Sequence, residues 1–364
     1  MTGRADPRNT VRLGLSTAAL LLATACTEPM GPQIGPPATP TAGRPPFLAA
    51  GLALETLAGG DSAGYQDCLG PTARFDGPVA LVVSPSGQAF VADCFNHCIR
   101  TVSSGSVVAT WVGATRPGFA DGARFSAQFD RPSGVALDSS GTLYVADTLN
   151  QRIRRVTSDG MATTLAGSGF AGFADGVGSA AQFSAPQAIA VDGSGSVFVA
   201  DTLNHRICRI SANGQVSTLA GSGLAGYQDG PAPQAQFDAP SGLAVDASGS
   251  VYVADTFNHC IRRISPNGAV STLAGSGTSG NGDGLAASAQ FSAPSGLAID
   301  ASGSLYVADT DNRAIRKIDR AGTVSTLVGP GGLTVLGAPR GVAVDGWGAI
   351  WVADTQNNVI RRSH

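Results

Sequence analysis

The chain has 364 residues, a net charge of −3, only 13% charged residues, and 49 Gly with 21 Pro. Glu28 and Glu55 are the only glutamates and Lys317 is the only lysine, a composition that argues against a mainly helical protein. A hydrophobic content of 43% supplies ample core and excludes a disordered chain. The slight acidity argues against a nucleic-acid binder held by phosphate contacts.

In chain order, Arg4, Arg8 and Arg12 precede an apolar run from Leu13 to Ala25. That run is too short to span a bilayer and suits the hydrophobic region of a signal peptide over residues 1–25. The segment Leu22-Ala23-Thr24-Ala25-Cys26 resembles a bacterial lipobox. The resemblance implies that Cys26 becomes the lipidated first residue, although Ala23 stands where such motifs usually have Leu. Ala23-Thr24-Ala25 also fits ordinary secretory cleavage, which would give a soluble secreted or periplasmic protein. Residues 26–46 hold seven prolines and no apolar periodicity, as expected of a semi-rigid tether.

From residue 47 onward the chain is repetitive. Val-Ala-Asp ends at Asp93, Asp147, Asp201, Asp255, Asp309 and Asp354, at four spacings of 54 and a last one of 45. Thr56, Thr110, Thr164, Thr218, Thr272 and Thr326 fall every 54 residues. Periods of this size mean a solenoid, a propeller or an array. Each unit carries four strand-like runs separated by turn residues, for example Pro240–Asp246, Ser250–Asp255, Cys260–Ile264 and Ala269–Ala274. Four antiparallel strands per unit make a propeller blade. The repeat region opens on a fourth-strand motif, Leu52–Ala58, and ends on only three strands. The prediction is an all-β, six-bladed β-propeller with ring closure by the N-terminal strand, which hides the sheet edges an open array exposes.

The unit Val-Ala-Asp-Thr-x-Asn-His-x-Ile-Arg resembles the NHL repeat, reading Asn96-His97-Cys98-Ile99, Asn204-His205-Arg206-Ile207 and Asn258-His259-Cys260-Ile261. With Thr-Leu-Ala-Gly-Ser-Gly and an Asp-Gly loop, it is similar to bacterial relatives of the teneurin NHL domain. The resemblance implies a binding platform, since NHL propellers mostly serve as such and a minority are enzymes. The NHL-like peptide-amidating lyases use zinc held by His placed just after the Pro of the innermost strand. Those places here hold Val79, Ser133, Gln187, Ser241, Ser295 and Arg340, so that chemistry is not expected.

Several residue types invite a functional reading. The Asp of Val-Ala-Asp and the Asn three residues later recur in all six units, which points to capping of the turn after the second strand. His97, His205 and His259 occupy one repeat position in three blades and need not converge, so no metal site is expected. The Arg pairs Arg154-Arg155, Arg262-Arg263 and Arg361-Arg362 split between sheet faces by strand alternation, which favours local charge balance over an RNA surface. Phe75, Phe129, Phe183, Phe237 and Phe291 read as core between blades.

Five blade joints carry extra loops, with Asp67, Asp121, Asp175, Asp229 and Asp283 in Gly-Tyr-Gln-Asp-Cys, Gly-Phe-Ala-Asp-Gly and related sequences. These loops should share a face with the turns after Val-Ala-Asp and form the candidate partner surface. The sixth joint, residues 329–337, lacks the Asp-Gly loop. Cys68 replaces the loop Gly and Cys94 the usual Thr of the first unit, so a Cys68–Cys94 disulfide is expected, or failing that Cys68–Cys98. No catalytic residue, cofactor or metal is expected. The reading is a monomeric extracytoplasmic platform binding a protein, peptide or glycan at the cell envelope, touching the membrane only through a lipid anchor. The alternative is a lyase or lactonase-like enzyme at the central channel mouth, with Arg340 and Arg131 as its charged candidates.

Overall fold

A computed structural model describes residues 52–60 and 62–364. The expected signal peptide, tether and lipidation position Cys26 lie outside the described residues. Six antiparallel sheets make the ring. Blade 1 is Pro78–Val83, Ala89–Asp93, Cys98–Val102 and Val107–Val112, counted from the channel outward. Blade 2 is Pro132–Leu137, Leu143–Asp147, Arg152–Val156 and Ala162–Ala166. Blade 3 is Pro186–Val191, Val197–Asp201, Arg206–Ile210 and Gln215–Ala220. Blade 4 is Pro240–Val245, Val251–Asp255, Cys260–Ile264 and Ala269–Ala274. Blade 5 is Pro294–Ile299, Leu305–Asp309, Ala314–Ile318 and Thr323–Val328.

Blade 6 closes the circle. Its three C-terminal strands, Pro339–Val344, Ile350–Asp354 and Val359–Ser363, are completed on the outside by Leu54–Gly59. Leu54 pairs with Ser363 and Gly59 with Val359. The first and last strands of the repeat region therefore hold each other, and unfolding either one opens the ring.

Alternation explains the core. In the second strands, Val91, Val145, Val199, Val253, Val307 and Val352 and the Ala residues that follow them are fully buried. Both faces of these strands are covered because each blade packs on two neighbours. Phe75, Phe129, Phe183, Phe237 and Phe291 are wholly buried as expected; truncating such a residue to Ala costs about 3–5 kcal/mol. Along the channel, glycines let inner strands approach closely. A Cβ on Gly134 would stand 2.4 Å from the Gln187 carbonyl oxygen, and one on Gly296 2.3 Å from that of Arg340.

Sequence reading missed a fifth strand. Cys68–Leu69, Gly176–Val177, Gly230–Pro231 and Gly284–Leu285 each pair with the outer strand of blades 1, 3, 4 and 5. In blade 2 a single bridge, Gly122 to Ala162, takes the same place. Each joint loop thus leaves one blade, lines the outer edge of the next, and only then turns inward to the channel. Two-residue strands are too short to show periodicity. Their effect is to cover exposed edge strands.

That topology also separates the cysteines expected to pair. Cys68 lies on the outermost strand of blade 1, whereas Cys94 follows the second strand from the channel. Three strand spacings, about 14 Å, lie between them, beyond the reach of a disulfide. Cys68 and Cys98 both carry free thiols, so neither expected bridge forms.

Candidate functional site on the loop-bearing face

The start of each inner strand, the turn after each second strand and the joint loops lie at one end of the ring. Asn96, in such a turn, donates to the Gly64 carbonyl of the joint loop at 2.8 Å, and Asn150, Asn204, Asn258 and Asn312 repeat the contact.

The Val-Ala-Asp carboxylates are buried caps, but not for the turn that follows them. Asp93 Oδ1 accepts the backbone N–H of Asp76, just before the inner strand of its own blade, at 2.8 Å. All six blades keep this bond. The Asn three residues on donates its amide to the same carboxylate, where an acceptor role was expected. The turn is closed instead by backbone bonds, as from His97 N–H to the Cys94 carbonyl.

The histidines are staples between blades. His97 Nδ1 accepts the Arg131 N–H at 3.2 Å, His205 that of Ala239 at 3.1 Å and His259 that of Ala293 at 3.2 Å. Gln151 and Asn358 do the same with side-chain oxygens. The donor residues Arg131, Ala185, Ala239 and Ala293 all have φ near +50°, a conformation that costs about 1 kcal/mol or more outside glycine. The bond compensates that strain by satisfying the N–H the conformation turns outward. Accepting through Nδ1 requires neutral imidazole, and burial lowers the pKa of His97 and His205. Arg313 occupies this position in blade 5 and has no acceptor to offer.

Arg154 and Arg262, the first members of two expected pairs, each centre a buried ion network, whereas Arg361, the first of the third, is part-exposed and forms an ion pair only with Asp354. Arg154 is fully buried. It donates to Asp147 Oδ2 at 2.7 Å, to Asp121 Oδ1 at 2.7 Å, and to the carbonyls of Gln128 and Ala120. Arg100, Arg262 and Arg316 repeat the pattern with Asp93 and Asp67, Asp255 and Asp229, and Asp309 and Asp283. Each guanidinium carbon lies about 5 Å from the centre of the buried Phe ring of its loop, within cation–π range. Burial outweighs the Arg charge and pushes Asp93, Asp147 and Asp255 up to about 6.

The loop aspartates therefore face their own blades. Asp67, Asp121, Asp229 and Asp283 pair with these arginines while staying 41–47% exposed. Their second oxygens accept from Thr110, Thr164, Thr272 and Thr326 of the outer strand. Asp175 keeps the threonine contact, to Thr218, but its blade carries Cys208 where the others have Arg. Exposed apolar side chains of this face include Leu149, Phe170, Leu224 and Phe257 over blades 2 to 4, with Phe170 74% exposed, and, in the joint loops, Tyr65, Phe119, Phe173, Tyr227, Leu333 and Val335.

The channel wall is small and aliphatic. Its lower stretch, a cavity of about 210 Å³, is lined by paired Val, Leu, Ile and Ala of all six inner strands. The upper stretch adds Ser133, Gln187, Ser241 and Arg340. Ser133 and Ser295 spend their hydroxyls between blades, on the Gln187 and Arg340 carbonyls. Of the two charged candidates, Arg340 reaches the channel and Arg131 stacks on Phe95, 5.2 Å from its ring centre. Among the described residues, no three His, Cys, Asp or Glu side chains converge as metal ligands would.

Comparison with known proteins agrees with this geometry. Residues 276–336 match the teneurin NHL domain, and residues 129–156 and 237–264 match the NHL repeat. The chain is 30% identical over 306 residues to NHL repeat-containing protein 2 of Gallus gallus, covering 73% of this chain and 42% of that protein. It spans less than half the length of the curated relatives it matches. Its fold is shared with an auxiliary nutrient binding protein of Bacteroides thetaiotaomicron, at TM-score 0.65, 14% identity, and coverage of 85% of this chain and 76% of that one. It is shared too with a gluconolactonase of Xanthomonas campestris, at TM-score 0.59, 17% identity, and coverage of 92% and 98%. The six blades, the closing N-terminal strand and the recurring Asn-His turns make this chain an NHL-repeat six-bladed β-propeller.

Proposed function

We propose that this chain is an exported binding platform, anchored through lipidated Cys26 and held off the membrane by residues 27–46. It would take a protein, peptide or glycan at the cell envelope on the loop-bearing face. The carrying observation is the division of labour on that face. Recurrent charged and amide groups are spent on holding blades and loops together, while apolar side chains such as Leu149, Phe170, Leu224 and Phe257 are left exposed. The channel offers a lower wall of aliphatic side chains and, above it, Arg340 as its one ionisable lining residue among the described residues, which supports a platform over the alternative of a lyase or lactonase-like enzyme, since that would need several ionisable groups converging there.

Crosslinking and pull-down from the native envelope tests the proposal. Phe170→Ser with Leu224→Ser should deplete the wild-type partners while circular dichroism stays unchanged. Asp121→Ala, Asp175→Ala and Asp229→Ala together should deplete them through loosened loops. An unchanged partner set in both would overturn the loop-face reading. Cys26→Ser should release the chain from the membrane fraction; if it stays there, the anchor is wrong.

A further inference from the structure

Blade 3 holds every part of the guanidinium cage except the guanidinium. In blades 1, 2, 4 and 5 that group takes four recurrent hydrogen-bond acceptors, namely two carboxylates and two loop carbonyls, beside a buried Phe ring. The counterparts in blade 3 are Asp201, Asp175, the carbonyls of Gln182 and Ala174, and Phe183, while position 208 is Cys. Asp201 is fully buried. It retains the Ser184 N–H and the Asn204 amide and lacks the charged donor. Its pKa, raised by burial, reaches about 7, above the value of about 6 for Asp93, Asp147 and Asp255.

Arg206 does not fill the role. It stacks on Phe173, 3.8 Å from the ring centre, and donates to the Ser222 carbonyl. Its counterpart in blade 2, Arg152, makes the same contacts with Phe119 and Ser168 although Arg154 is also present. On the solvent side, a cavity of about 340 Å³ opens beside the cage and is walled by Phe173, Asp175, Thr218, Ser222 and Pro233 as well as Arg206. Asp175 thus belongs both to the cavity and to the cage, and Phe173 stands where Tyr65, Phe119 and Tyr227 lie about 5 Å from the guanidinium carbons of the other blades.

We propose that blade 3 is a binding site for a guanidinium group supplied from outside, either a free guanidino compound or the arginine of a peptide. Planar, weakly hydrated guanidinium satisfies carboxylates and carbonyls arranged around it in a way a compact ammonium does not. The same fold displays the bound state four times. This site does not rest on the platform reading, since it lies within one blade and can bind a small molecule without any envelope partner.

The test uses the full chain, titrated by calorimetry with agmatine, with an acetylated single-arginine peptide and with putrescine as the ammonium control. Agmatine or the arginine peptide should bind, putrescine should not, and which of the two binds distinguishes a free ligand from a presented side chain. Cys208→Arg, which supplies the guanidinium internally, should abolish binding, and Asp175→Asn should weaken it by roughly tenfold or more. Cys208→Ala should leave binding intact and guards against misfolding of the Arg variant. Bound agmatine should also slow alkylation of Cys208, mapped by mass spectrometry. No binding of either guanidino probe to the wild type, equal binding to Cys208→Arg, or equal binding of putrescine would overturn the proposal.

Discussion

Blades 2 and 3 receive the same joint loop, Gly-Phe-Ala-Asp-Gly, and carry the same turn, Thr-Leu-Asn, yet their interiors are built on different electrostatics. In blade 2 the third strand reads Arg-Ile-Arg-Arg-Val, and its middle arginine joins Asp147 to Asp121. In blade 3 it reads Arg-Ile-Cys-Arg-Ile, and Cys208 packs among Ala181, Phe183 and Ile189. Both solutions keep the fold. Aliphatic packing, backbone ladders and the Asp–Asn cap are therefore enough to form a blade. The buried arginine fastens the loop to the blade and compensates a carboxylate that the cap places out of water.

The comparison breaks most visibly if the arginine is removed where it is present. Arg154→Met strands Asp147 without its charged partner, and breaking a buried pair from one side costs about 3–5 kcal/mol. Cys208→Met, an apolar change at the matched position, should cost well under that. Urea unfolding of the two variants checks the difference; equal losses would mean that Arg154 stabilises by volume and not by charge.

The converse change sharpens it. Cys208→Arg should raise stability by about 1.5–3 kcal/mol, the range for hydrogen bonds to charged groups. The gain should depend on pH. Asp201, at 3.8 when unfolded and about 7 when folded, binds more protons in the native state between these values. Its stabilising contribution is complete below 3.8 and lost as pH rises through about 7. The advantage of Cys208→Arg should accordingly widen from pH 4 to pH 7 and nearly vanish in acid. A pH-independent advantage would show that Asp201 does not titrate in this range.

The ring was legible because one pattern was written six times. For blade 4 the expected strand Ser250–Asp255 is observed as Val251–Asp255, and Cys260–Ile264 and Ala269–Ala274 appear unchanged. Ring closure followed from a count of strands. The ion network did not emerge because its members are far apart in sequence and each type had a bland local explanation. The signal was nevertheless present. Arg100, Arg154, Arg262 and Arg316 each stand 7 residues after a Val-Ala-Asp aspartate and 33 after a loop aspartate. The departure at Cys208 breaks that double spacing at one point. The staple role of His97 was invisible for another reason: its partner is a backbone N–H of the next blade, and backbone groups carry no sequence label.

That staple sets the smallest expected effect, and it runs against Asp201 in its pH dependence. Blades 2 and 3 hand on to the next blade through Gln151 and His205, both acceptors for an N–H at positive φ. Gln does not titrate. His205→Gln should therefore be nearly neutral at pH 7, whereas His205→Ala leaves the Ala239 N–H without its acceptor and should cost about 1 kcal/mol. Because burial depresses the folded pKa of His205 below 6.5, its contribution is present above 6.5 and lost as pH falls through the folded value. His205→Gln should then be more stable than wild type in mild acid, by equilibrium unfolding at pH 5 against pH 7.5. A wild-type advantage that persists in acid would mean that the imidazole holds the joint by packing alone.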